Sequence, residues 1–213
     1  APRKEKVMNI ANLLSFAILA GVLVLIPGLD FAMVLRYATT QFRKSAFLVS
    51  AGIASGLYVW GIAAVLGIAA LLRTSAAAFN ILKIAGAAYL FWMGGRFVLS
   101  SFKKNRQTLE SILSPTKKPY IKGLMTNLLN PKPAVFYLSI FPQFIPLHSN
   151  HLLVGVSLVS IHALETMIFF TALILFVGTL KPFFAKPKVA SIMERISGTL
   201  IIGFGAKLLL DRA

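Results

Sequence analysis

Two prolines interrupt apolar segments long enough to be membrane helices: Pro27 in VLVLIPGLDFAMVL and Pro131 in TNLLNPKPAVFYL. Proline has no N–H to donate and its ring collides with the preceding turn, so each site is expected to break its helix. A charge accompanies each break, Asp30 at the first and Lys132 at the second. In hydrocarbon, broken backbone persists only where protein buries it or where it lines a polar cavity. Two broken helices with opposite charges, one in each half of the chain, are what a secondary transporter needs for a binding site at the bilayer midplane.

Composition agrees with a bilayer. The 213 residues are 57% hydrophobic and only 13% charged, with a mean hydropathy of +0.80, well above that of a soluble domain. The formal charge of +16 would suggest a nucleic-acid partner in a soluble chain. Here most basic residues fall between apolar segments, where they read as topology signals and lipid-headgroup contacts, so no nucleic acid is expected. The absence of cysteine excludes disulfides, thiolate catalysis and Cys metal sites. Arg3, Lys4 and Lys6 ahead of an apolar run imitate a signal peptide, but no convincing cleavage site follows and the run continues to Leu35. It reads as a retained first helix, with Met8 a candidate start.

Six spans are expected: 10–37, interrupted at Pro27-Gly28; 46–72; 79–101; 121–145, interrupted at Asn130–Pro133; 152–180; and 189–210. Of the 22 Lys and Arg, 14 fall on the side holding the connection around 102–120 and seven on the other, leaving Lys132 inside. The positive-inside rule then puts both termini outside and that loop in the cytoplasm. The halves look related. KIAGAAYLFWMGG from Lys83 resembles RISGTLIIGFGAK from Arg195, and PGLDFAMVL stands opposite NPKPAVFYL. Three spans per half make the second copy enter from the opposite side. The fold class is therefore an all-α membrane protein, one transporter domain over 1–213 built as two inverted three-helix repeats, about 8–102 and 120–213, joined by a loop at about 103–119.

PGLD at 27–30, GAAYLFWMG at 86–94 and NLLNPKPAVFYLSIFPQFI at 127–145 resemble the LysE/RhtB-type amino-acid exporters of bacterial inner membranes, over nearly the whole chain. Leu29 stands where that family usually has a second proline. The resemblance implies efflux of amino acids or close derivatives, driven by the proton gradient, through a six-helix inverted-repeat fold in the inner membrane.

Of the six acids, Asp30 and Glu165 alone lie deep in apolar segments. A carboxylate there costs about 2.5–3.5 kcal/mol on insertion scales, so it should face a partner or a cavity. Asp30 follows the first break, where it either caps the next half-helix or lines the substrate and proton site. Lys132, flanked by Pro131 and Pro133, is the matching cation. It can snorkel, pair with Asp30, or receive a substrate carboxylate together with the half-helix amino termini, Gly28 included. His162 lies three residues before Glu165 on one helical face, as a proton relay or as a polar pair bonding helices. Asn127 and Asn130 can satisfy carbonyls freed at Pro131, with substrate contact as the second reading. Gln143 is a candidate gate or cap. Trp60, Trp92, Tyr58 and Tyr89 read as packing or interface anchors, and Gly52, Gly56, Gly86, Gly94 and Gly95 as sites of close helix approach.

The leading function is a proton-coupled secondary exporter whose partners are an amino acid, protons and membrane lipids, with homo-oligomerisation left open. An inorganic cation transporter would need a ligand cluster that few His and two buried acids do not supply, so neither metal nor cofactor is expected. An intramembrane enzyme would need a motif such as GxSxG or HExxH, and neither is present. A non-transport scaffold would not need two charged breaks.

Overall fold

A computed structural model of the protein describes residues 10–41, 43–74, 76–102, 118–145 and 149–210. The proposed start at Met8 and most of the basic loop lie outside them. Among the described residues every regular element is helical: α1 (Ile10–Leu25), α2 (Leu29–Thr40), α3 (Arg43–Thr74), α4 (Ala76–Ser100), α5 (Pro119–Leu128), α6 (Pro131–Phe144), α7 (His151–Leu175), α8 (Val177–Ala185) and α9 (Pro187–Leu210).

The first break falls where the sequence places it. α1 stops at Leu25, α2 starts at Leu29, and the two are bent by 56°. The second break is shifted towards the amino terminus. α5 ends at Leu128, and Pro131 and Pro133 lie in the first turn of α6 rather than interrupting a helix. A helix leaves its first N–H groups unpartnered in any case, so proline there costs nothing and presets the backbone. Asn130 completes this start, its side chain accepting the Lys132 N–H at 3.0 Å. The fifth expected span also divides, with a turn at Phe176 separating α7 from α8.

Among the described residues two helices are long and apolar enough to cross a bilayer alone, Arg43–Gly67 of α3 and His151–Leu175 of α7, and the bent α1–α2 pair makes a third. α5 and α6, at 10 and 14 residues, are each too short, since a crossing takes about 20.

Two apolar clusters hold the helices together. One is centred on Phe16, Phe136, Tyr137 and Phe141 and draws on α1, α3, α4, α6, α7 and α9. The other joins α2 and α3 to the carboxyl half of α7 through Phe31, Tyr37, Ile53 and Phe170. Small residues set the crossings, as they do where lipid supplies no hydrophobic drive. On α3, Gly52 lies against the Tyr120 carbonyl and Gly56 against Asn127, while Gly123 of α5 lies against the Val49 carbonyl. The α3–α7 crossing is reciprocal: Gly61 receives Val159, and Gly155 receives Val65. So is the α4–α9 crossing, where Gly94 meets Gly198 and Ile202 while Gly198 meets Gly94 and Val98. Gly95 has open space around it, and the surroundings of Gly86 lie outside the description.

Candidate functional site

The two breaks meet. α2 begins at the first and carries Asp30 in its opening turn. α6 begins at the second and carries Lys132 in its opening turn. Both side chains line one small cavity of about 30 Å³, walled by the end of α1, the starts of α2 and α6, and α3 and α7. That space is ample for water.

The hydrogen bonds run crosswise between the breaks. Proline at 27 ends α1 and leaves the Ile26 carbonyl without a helical partner. The Lys132 ammonium donates to it at 3.0 Å. A cation at the carboxyl end of a helix also meets the negative end of its dipole. Asn127, from the last turn of α5, donates its amide to Asp30 Oδ2 at 2.9 Å. Asn130 lies beside the same carboxylate. Both bonds are thus donated by the second half of the chain to the first, while the start of α6 is capped by its own Asn130. Asp30 and Lys132 do not bond to each other: Lys132 serves the Ile26 carbonyl, and Asp30 Oδ1 is buried with no partner. They are close enough for each charge to act on the other.

Several alternatives left open by the sequence close here. No side chain caps α2, and Asp30 takes its hydrogen bond from α5. Lys132 points inward rather than snorkelling. Asn127 and Asn130 do not satisfy freed carbonyls: one donates to Asp30 and the other accepts an N–H. Asn127 is fully buried, and its own carbonyl accepts the Trp60 indole N–H at 3.3 Å, so Trp60 braces the site instead of anchoring an interface. Gly28, extended at the start of α2, lies beside the lysine, and a Cβ there would be in ordinary contact with Lys132 Nζ at 3.8 Å.

His162 and Glu165 separate. His162 lines the cavity, and its Nδ1 pairs with the Tyr137 hydroxyl at 2.9 Å rather than with Glu165. Glu165 turns towards α1, where its carboxylate lies 3.7–3.8 Å from the position a Cβ on Gly21 would take. Its Oε2 is buried without a hydrogen bond. Gln143 donates to the Ser139 carbonyl within its own helix. Sequence reasoning missed Tyr137 and Thr166. Thr166 lines the cavity one turn after His162, a spacing that would have revealed it. Among the described residues no three His, Asp or Glu side chains gather as metal ligands.

The LysE type translocator family profile matches residues 21–212. Relatives at 30% identity include the uncharacterized membrane protein YrhP of Bacillus subtilis, over 92% of this chain and 97% of its own. Another is a threonine efflux protein of Salmonella typhi, covering 87% and 91% respectively. A leucine efflux protein of Enterobacter covers 94% and 96%. No solved structure matches the chain. Broken helices with crosswise charges and a family match across nine-tenths of the length lead to one assignment: the chain belongs to the LysE type translocator family, whose members are transporters and not enzymes.

Proposed function

We propose that this protein is a proton-coupled secondary exporter of amino acids or close derivatives across the bacterial inner membrane. The observation that carries the reading is that an unpartnered Asp30 oxygen and the Lys132 ammonium line one cavity at the junction of two broken helices. An amino-acid zwitterion is complementary to it. The substrate ammonium goes to Asp30 Oδ1, and the carboxylate goes to Lys132 and the amino-terminal end of α6. The threonine and leucine efflux proteins among the relatives support this substrate class.

The six-span, inverted-repeat architecture belongs to the same proposal, as one transporter unit with both termini outside. Its support is the reciprocity of the α4–α9 crossing. The sequence separation that relates Pro27 to Pro131 also relates Gly94 to Gly198 and Val98 to Ile202, the pairs that meet between α4 and α9. This register differs from the alignment of Lys83 with Arg195 by roughly two helical turns. In the working cycle, protonation of Asp30 releases the ammonium and resets the carrier. Glu165, against α1 and off the cavity, is the second acid on that path, and His162 contributes through Tyr137 rather than through Glu165.

Counterflow in proteoliposomes with a panel of radiolabelled amino acids tests the reading. The wild type exchanges at least one of them and responds to an imposed pH gradient. Asp30→Asn keeps the volume and a partner for Asn127 but loses the charge, so it folds and inserts while proton-coupled export is abolished. Wild-type export by a well-expressed Asp30→Asn variant would overturn the proposal.

A further inference from the structure

Thr166 is 4% exposed and its hydroxyl has no hydrogen-bond partner. That sets it apart from other helical hydroxyls of the protein. Ser50, Ser55, Thr126, Ser157 and Ser160 each donate to the carbonyl four residues back in their own helix, the usual way a helix satisfies such a group. A buried hydroxyl that forgoes this bond calls for an explanation. Here the side chain lines the cavity, between His162 and Phe170 on successive turns of α7.

We infer that Thr166 reads the side chain of the substrate and selects a small amino acid bearing a hydroxyl over its purely apolar isostere. The inference rests on the cavity being the substrate site proposed above. Asp30 and Lys132 engage the ammonium and carboxylate that every amino acid carries, so they cannot distinguish one from another. His162 Nδ1 is already committed to Tyr137. The rest of the wall is apolar, with Leu23, Phe31, Ile53, Leu57 and Phe170 around it. A hydroxyl both donates and accepts, so the Thr166 side chain pairs with a substrate hydroxyl in either sense. An apolar side chain of the same size fills the same space but offers the Thr166 hydroxyl no partner. Discrimination through such an unpaired group is far stronger than discrimination by size alone.

L-Threonine and L-valine have nearly the same shape and differ in the hydroxyl, so their ratio isolates the contact. The measurement is competition by each against counterflow of a labelled substrate of the wild type. The wild type should prefer threonine by at least about tenfold, the low end of one hydrogen bond together with the penalty for leaving it unmade. Thr166→Val should bring the ratio to near one by weakening competition by threonine more than competition by valine. Thr166→Ser, which keeps the hydroxyl, should restore the preference. A wild type that favours valine or treats both alike overturns the inference even where Thr166→Val fails to fold. So does a Thr166→Val variant that weakens both substrates equally, which would make Thr166 a ligand of the common zwitterion. Exchange of other amino acids with no response to threonine sinks this inference and spares the exporter reading. Absence of any amino-acid exchange sinks both.

Discussion

Gly56→Ala tests whether Asn127 holds the Asp30 carboxylate in its working position. A Cβ at position 56 would stand 2.5 Å from Asn127 Oδ1 and 2.9 Å from its Cβ and Cγ, closer than packed atoms tolerate. The asparagine has nowhere to retreat. It is fully buried, its side-chain amide is bound to Asp30, and its backbone carbonyl accepts from Trp60. Nor can α5 back away cheaply, because Gly52 and Gly123 put the α3 and α5 backbones in direct contact on the same seam. Two outcomes compete. Shifting α5 amounts to overpacking, at about 1–3 kcal/mol. Turning Asn127 aside breaks a hydrogen bond to a charged group, worth about 1.5–3 kcal/mol. The cheaper displacement sets the cost, so the net loss is about 1–3 kcal/mol, a fall of about 3–12 °C in Tm for a chain this long.

The assay pairs thermal unfolding of the purified protein with amino-acid exchange in proteoliposomes. Exchange should fall at least about tenfold, since a displaced Asn127 leaves Asp30 without its hydrogen-bond donor on α5. Gly95→Ala is the control: a Cβ there meets nothing within 4 Å, so neither Tm nor exchange should drop. A Gly56→Ala protein that melts within about 2 °C of the wild type and exchanges normally would refute the argument that this seam positions the carboxylate.

Lys132→Met removes the donor to the Ile26 carbonyl; it should lower stability by about 1.5–3 kcal/mol and abolish substrate binding, both read on the purified protein. If binding survives, the carboxylate is held elsewhere. Glu165→Gln should leave substrate affinity within about twofold while uncoupling exchange from an imposed pH gradient, because Glu165 lies off the cavity. A large affinity change with coupling intact would reverse that assignment. Single cysteines at Ser149 and Thr108, in a chain that has none, should react with impermeant maleimide from outside and inside respectively. The opposite pattern would invert the proposed orientation.

What the sequence discloses and what it hides follow from the range of the forces involved. Pro27 acts on its own turn, so the first break is legible to the residue. The second shows how proline misleads: Pro131 and Pro133 look like interruptions, yet proline at the start of a helix is a nucleus, and the interruption lies at Leu129 and Asn130. The turn at Phe176 has no proline beside it and passes unnoticed in an apolar run. His162 and Glu165, three apart, fall about 60° from each other around the axis, enough for one to reach the cavity and the other α1. Thr166 escapes a search weighted towards charge, although it occupies the position that His162 plus one turn picks out.

The crosswise bonding is the deeper omission. Composition and insertion cost predict that Asp30 and Lys132 share a polar place, and the natural extrapolation is a pair. A broken helix, however, leaves carbonyls at one end and N–H groups at the other, and these compete for the same charges. Lys132 takes the carbonyl at the end of α1, and Asn127 takes Asp30 across a separation of 97 residues. The outcome differs functionally from an ion pair. A closed Asp–Lys pair would have to be broken before a zwitterion could bind, whereas here one carboxylate oxygen stays unclaimed, and the ammonium keeps two protons beyond the one given to Ile26. Charges held by a side-chain amide and a backbone carbonyl from across the break are positioned without being neutralised, which is the condition a site needs if it is to bind tightly in one state and release in the next.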